Sequence, residues 1–156
     1  MIRLAGALLV LAMGALAAYG AARAEKRRLE VLEGWVDLIM YIRGQIDCFL
    51  TPLDEILQNC DRRVLDACLA PENARDLETV LAASLPYLDA DARHLLERFL
   101  REVGTSYREE QLKRCDYYLN ALSVLREKRA AELPVRRRLL TSLSLCAAIG
   151  TAILLW

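Results

Sequence analysis

The sequence predicts an all-α protein: a membrane-anchored helical bundle with an N-terminal and a C-terminal transmembrane helix. Two stretches without a charged side chain, residues 4–22 and 139–156, flank a densely charged middle region. Within that region apolar residues recur in steps of three and four, the period of one helix face. No segment combines apolar–polar alternation with β-branched residues, as a strand would.

The first apolar stretch has 19 residues, close to the roughly 20 that span a bilayer. An alternative interpretation is a cleaved signal peptide, because Ala15-Leu16-Ala17 is similar to a cleavage site. However, positive charge next to an apolar segment favours the cytoplasmic side. We therefore expect a transmembrane segment over residues 1–24. The basic residues that follow are Arg23, Lys26, Arg27 and Arg28.

The second apolar stretch has 18 residues and ends at Trp156, an aromatic residue of the kind found at membrane interfaces. Arg136, Arg137 and Arg138 precede it. Its alternative interpretation is a buried helix of a soluble protein. We expect a transmembrane segment over residues 136–156 and a helical bundle domain over residues 25–135. Both basic fringes adjoin that domain, so both place it on the cytoplasmic side and in contact with membrane lipid.

The domain begins with a long predicted helix whose apolar residues form a heptad seam. We interpret this seam as the core face of a bundle, although a two-chain coiled coil, and hence a homo-oligomer, would share the pattern. Gly34 and Gly44 weaken the helix but permit close approach of a neighbour. The seam consists of Leu32, Trp35, Ile39, Ile42, Ile46 and Phe49.

Further helices follow from capping and breaking residues. Thr51-Pro52 predicts a restart, and the polar residues 59–63 divide the helix that follows. Breaks are expected at Pro71 and Pro86, and a helix is expected to start at Asp89 or Asp91. Gly104 predicts the end of that helix, because glycine is favoured just beyond a helix C-terminus.

The last predicted helix opens with a capping box, Ser106-Tyr107-Arg108-Glu109. Pro134 is expected to kink this helix or to end it before the second apolar segment. Apolar residues expected on its core seam are Leu112, Cys115, Leu119 and Leu122.

No catalytic chemistry is indicated, so we expect a protein that is not an enzyme and has no cofactor. His94 is the only histidine, the phosphate-binding glycine motifs are absent, and the five cysteines lack metal-ligand spacing. We interpret the cysteines as reduced, buried side chains. The net charge of zero gives no field that favours nucleic acid.

Polar turns are the expected partner-binding surfaces, since helix seams are occupied by the core. The turn over residues 104–111 combines an aromatic ring with hydrogen-bonding side chains, a composition enriched at binding hot spots. The competing interpretation is that these residues only cap helices. The candidates are Tyr107, Arg108 and Gln111 in one turn, and Arg62 and Arg63 in the other.

Over its whole length the chain resembles the stage III sporulation protein AB family of endospore-forming bacteria. The resemblance lies in the Thr51-Pro52-Leu53 step after a long helix, the Phe99…Gly104 helix end, and Gln111 in the helix that follows. The family pattern differs in having an acidic residue where Gln45 stands and a glycine where Leu100 stands.

This resemblance implies a fold similar to the helical domains of the platform protein of type II secretion and type IV pilus systems. It implies a structural role in the channel between mother cell and forespore, in the mother-cell membrane facing the forespore. The implied partners are other stage III sporulation channel proteins, including a cytoplasmic secretion-type ATPase. A different class of function, a membrane-anchored sensor or regulator that binds a small ligand or protein, is the alternative.

Overall fold

The computed structural model describes residues 2–49, 53–105 and 107–154; the side chains of residues 2–11, 18, 49, 53 and 54 and of a number of residues beyond Val135 lie outside the description. Every regular element in the described ranges is helical, which confirms the all-α prediction. The helices are α1 (Ile2–Phe49), α2 (Leu53–Gln58), α3 (Arg62–Ala67), α4 (Leu77–Ser84), α5 (Ala90–Glu102) and α6 (Arg108–Leu154), with one 3₁₀ turn, Leu85–Tyr87.

The chain divides into two compact units. Unit 1 combines Met1–Arg27 with Arg129–Trp156, and unit 2 is Arg28–Lys128. The helices α1 and α6 contribute to both units, whereas α2 to α5 belong to unit 2 alone.

Among the described residues, no helical segment is both long enough and apolar enough to cross a membrane. Much of the two predicted transmembrane segments, including the side chains of residues 4–11 and the last two residues of the chain, lies outside the described residues.

The core of unit 2 forms along one face of α1. The predicted seam is buried from Leu32 to Ile46, with Trp35, Ile39 and Ile42 fully inaccessible to solvent. The side chain of Phe49 lies outside the described residues. Against this face pack Leu96 and Phe99 of α5, together with residues of the other helices of unit 2. The bundle-core interpretation of the seam is therefore confirmed. The residues packed there from α2, α4 and α6 include Ile56, Val80, Tyr118 and Leu122.

One hydrogen bond lies inside this core. The indole N–H of Trp35 donates to the hydroxyl of Ser84 at 3.0 Å, and that hydroxyl donates to the carbonyl of Leu81 at 2.9 Å. Both side chains are fully buried. Because a buried N–H without a partner is costly, Ser84 lets a tryptophan occupy the centre of the core.

The helix ends largely follow the predicted signals. The polar stretch 59–63 separates α2 from α3, and Asp61 caps α3 by accepting a hydrogen bond from the Arg63 N–H at 2.9 Å. Asp89 is the N-cap residue of α5. Gly104 has φ 83°, the left-handed conformation expected after a helix. Thr51, Pro52 and Ser106 lie outside the described residues, so the Thr51-Pro52 step and the capping box remain predictions.

The end of α3 is closed by an apolar residue in the left-handed region, Leu69 with φ 60°. The Leu69 N–H donates to the Asp66 carbonyl at 3.0 Å, and the Ala70 N–H donates to the Leu65 carbonyl at 2.9 Å. This pair of bonds forms a Schellman motif, which usually has glycine at that position. Asp76, six residues after Ala70, caps α4 by accepting a hydrogen bond from the Thr79 N–H at 2.6 Å.

The sequence predicts that Pro134 either kinks α6 or ends it. Pro134 does not end the helix, which continues through it to Leu154. A proline removes one N–H donor and costs roughly 3 kcal/mol in a helix interior. In a helix of 47 residues that local loss is outweighed, since each additional turn on either side is added cooperatively.

The cysteines are only partly as expected. Cys68 and Cys115 are buried, whereas Cys48 and Cys146 are exposed, so the prediction of uniformly buried thiols is wrong. The error arises because cysteine is small enough to be placed on either side of a helix without a change in the apolar pattern.

The first prediction concerns the two glycines of α1. A Cβ on Gly34 would lie 2.8 Å from the backbone carbonyl carbon of Ala67, whereas one on Gly44 would meet nothing within 4 Å. We expect Gly34→Ala to destabilise the protein by about 1–3 kcal/mol, since backbone must shift to relieve the clash. Gly44→Ala should stabilise it by up to about 1 kcal/mol through helix propensity. Urea denaturation of the full chain in detergent, followed by circular dichroism, measures both; equal effects would contradict the close crossing at Gly34.

The second prediction concerns the core hydrogen bond. Ser84→Ala should cost about 1–3 kcal/mol of unfolding free energy, because it leaves the Trp35 N–H buried without an acceptor. In a Trp35→Phe background, which removes the donor, the same change should cost much less. The double-mutant cycle from chemical denaturation tests this, and additive effects would show that the bond contributes nothing.

Candidate partner-binding site

The turn between α5 and α6 is held by hydrogen bonds on both sides. The hydroxyl of Thr105 donates to the Glu102 carbonyl at 2.9 Å. The guanidinium of Arg114 donates to the same carbonyl at 2.7 Å and to the carboxylate of Glu110 at 2.7 Å. Arg114 thus satisfies the C-terminal carbonyl of one helix from the first turns of the next, which fixes the conformation of the turn.

Tyr118 of α6 contacts the last turn of α5 from inside the core. Its hydroxyl donates to the carboxylate of Glu102 at 2.8 Å, and its ring lies edge-on to Phe99 at 5.4 Å. Burial is the main factor that raises the pKa of Tyr118 to about 12, with the hydrogen bond to Glu102 second. The predicted seam omits Tyr118, although this residue lies three positions after Cys115 and four before Leu122, the spacing of one helix face.

Arg108, one of the predicted binding residues, is engaged within the fold. Its guanidinium donates to both the carbonyl and the carboxylate of Asp47, each at 2.6 Å. Asp47 lies in the last turn of α1, where carbonyls lack partners within the helix and favour positive charge. A second ion pair, between Arg43 and Asp116, links the same two helices.

Tyr107 and Gln111 differ from each other in exposure. The ring of Tyr107 is 89 % exposed, while its carbonyl accepts the N–H groups of Glu110 and Gln111 at 3.0 Å. Gln111 is half-buried and also interacts within the protein. The structure therefore presents one aromatic ring to solvent from a backbone fixed on both sides.

The two arginines of the other predicted turn lie at the start of α3. Arg62 donates to the carbonyls of Ala70 and Pro71, at 3.1 and 3.3 Å, and pairs with Asp66. Arg63 is exposed, and its side chain makes no hydrogen bond or ion pair with the residues that the structure describes. Arg62 thus holds the chain after α3, whereas Arg63 is open to a partner.

The basic fringes are only partly described. Arg23 and Arg138 are exposed. Lys26 and Arg27 are exposed as well but interact within the protein, and Arg28 lies 4.0 Å from the carboxylate of Asp89. The side chains of Arg136 and Arg137 lie outside the described residues.

Charge is divided unequally between the two units. Unit 2 contains 13 Lys and Arg against 19 Asp and Glu, a net charge of −6. The remaining 8 basic and 2 acidic residues give unit 1 a net charge of +6. The overall net charge of zero therefore conceals an acidic unit and a basic unit.

The chain matches the model of a protein family. The model of the family described as stage III sporulation protein AB matches residues 3–69 and 77–156, which leaves unmatched only the first two residues and the connection between α3 and α4. Neither the curated proteins nor the solved structures give a match. The family is a structural sporulation family and not a known enzyme family. The match covers nearly the whole chain, and the chain therefore belongs to the stage III sporulation protein AB family.

Proposed function

We propose that this protein is a structural membrane platform of the channel, a secretion-like complex, that joins mother cell and forespore during endospore formation. Membership of the family implies a role in stage III of sporulation. The terminal segments would anchor it in the mother-cell membrane facing the forespore, with unit 2 on the cytoplasmic side. Unit 2 would then receive a cytoplasmic secretion-type ATPase and contact other channel proteins.

The observation that carries this proposal is a fixed turn with one freely exposed aromatic ring, Tyr107, on an acidic helical unit. The neighbouring polar groups Arg108 and Arg114 are engaged within the fold. A rigid backbone lowers the entropy lost when a partner orders the surface, and tyrosine is enriched at binding hot spots.

The alternative of a ligand-binding sensor receives less support. Among the described residues, the buried hydroxyl and indole groups belong to Ser84, Trp35 and Tyr118, and each is already hydrogen-bonded within the protein. These polar groups hold the core together, whereas a ligand site needs polar groups that are directed at the ligand.

The third prediction concerns membrane topology. Cys48 is exposed, whereas burial raises the pKa of Cys115 to about 11 and that of Cys68 to about 12. Because the thiolate is the reactive form, the exposed Cys48 and Cys146 should react most readily at neutral pH, ahead of the half-buried Cys60. In a background carrying Cys60→Ser and Cys146→Ser, a membrane-impermeant maleimide should spare intact cells and label Cys48 after permeabilisation. Cys115 and Cys68 should require denaturation. Labelling of Cys48 in intact cells would reverse the proposed topology.

The fourth prediction concerns Tyr107. Tyr107→Ala should abolish co-purification of the secretion-type ATPase and block spore formation, with the melting temperature unchanged, because the ring makes little contact within the protein. Tyr107→Phe keeps the ring and serves as the matched control. It should retain most of the ATPase co-purification and most of the spore formation.

Arg108→Ala provides the contrast. It should lower the melting temperature, since it removes the contact with Asp47, whatever its effect on binding. If Tyr107→Ala leaves ATPase co-purification and sporulation undiminished, this turn is not the binding surface.

A further inference from the structure

Within unit 2, α1 and α6 are adjacent and antiparallel. Arg43 pairs with Asp116, and Asp47, further along α1, pairs with Arg108, which comes earlier on α6. Both helices direct one face into the same core, through residues such as Ile42 on α1. Their opposite faces therefore lie side by side on the outside of the unit.

The outer face of α1 carries Glu33, Asp37 and Met40, in helical steps of four and three. All three are exposed, and the Met40 side chain is 56 % exposed. This face is acidic in the earlier part of the helix and becomes apolar further along.

The outer face of α6 has the complementary character. Tyr117 and Val124 are 57 % and 60 % exposed, and the exposed Asn120 lies between them. Lys113 and Lys128, also exposed, lie at the two ends of this stripe. An apolar centre between two cationic ends is the arrangement of an interface core with a charged rim.

We propose that two copies of this chain pair through these faces, with α1 of each copy on α6 of the other, as a closed two-fold dimer. A two-fold axis parallel to the helices exchanges α1 and α6 across the interface while keeping each residue at its level along the axis. The direction of this axis rests on the proposed function, since two copies anchored in one membrane share an orientation. A two-fold contact is closed, so no surface remains to propagate a filament.

The register follows from the pairs within one chain. Because Arg43 is level with Asp116, Met40 reaches the level of Tyr117 and Asn120 of the other copy. A methionine sulfur against an aromatic ring is favourable. One and two turns earlier on α1, Asp37 and Glu33 reach the levels of Asn120 and of the Val124–Lys128 stretch, which places carboxylates near amide and ammonium groups. Each contact occurs twice in the dimer.

Charge reversal tests this arrangement in the full chain, in detergent micelles, with mass measured by sedimentation and light scattering. Wild type should show two chains. Glu33→Lys and Lys128→Glu should each weaken the dimer by at least about tenfold, since each places like charges together. The double variant Glu33→Lys with Lys128→Glu should recover it. Glu97→Lys, an exposed charge reversal on α5, is the matched control and should leave the dimer intact.

Melting temperatures of all variants separate misfolding from dissociation, and cysteine pairing gives a second measurement. With Cys48→Ser and Cys146→Ser as background, a tagged chain carrying Met40→Cys should form an oxidised two-chain adduct with a differently tagged chain carrying Tyr117→Cys. Replacing the second change by Glu97→Cys should abolish the adduct.

A single-chain mass for wild type, an assembly larger than two, folded single variants that dimerise normally, or absence of the Met40–Tyr117 adduct would each overturn the dimer. These outcomes are independent of sporulation. A dimeric chain that neither binds the ATPase nor supports spore formation would instead refute the platform and leave the dimer standing.

Discussion

Unit 2 depends on the face of α1 that surrounds Trp35. This indole occupies the centre of the core, and its N–H needs an acceptor where no water reaches, so Ser84 fixes where α4 can lie. One residue earlier, Gly34 lets the end of α3 approach the α1 backbone at a distance that no side chain would permit. Two adjacent residues therefore set the positions of two other helices, and the apolar residues of α5 and α6 fill the space that remains.

Much of this fold could be predicted from the sequence, because its determinants are local. The seam from Leu32 to Ile46, the division near residues 59–63 and the left-handed Gly104 each depend on spacing or on the chemistry of a single residue. Leu69 could not be predicted in the same way. A leucine gives no indication that its backbone will adopt a glycine-like conformation, which here is set by the hydrogen bonds that close α3.

The candidate site was less predictable, since it depends on contacts between residues far apart in sequence. Tyr107, Arg108 and Gln111 look equivalent as neighbours in a polar turn. Only the fold shows that Arg108 is engaged by Asp47, 61 residues away, and that Tyr107 is not similarly enclosed. The charge division was likewise hidden, because basic residues outside the unit boundaries balance the acidic ones inside when the middle region is counted as a whole.

The connection between α3 and α4 has a further consequence for how this chain can vary. The end of α3 is complete by Ala70 and Pro71, whose carbonyls Arg62 binds, and α4 begins with its own cap at Asp76. Neither helix needs the residues between for its termination, and Glu72, Asn73 and Arg75 are exposed. Insertions and deletions there alter the length of a surface loop without disturbing either helix end. The family match is interrupted at this connection, between residues 69 and 77, where the physics of helix capping makes changes in chain length least costly.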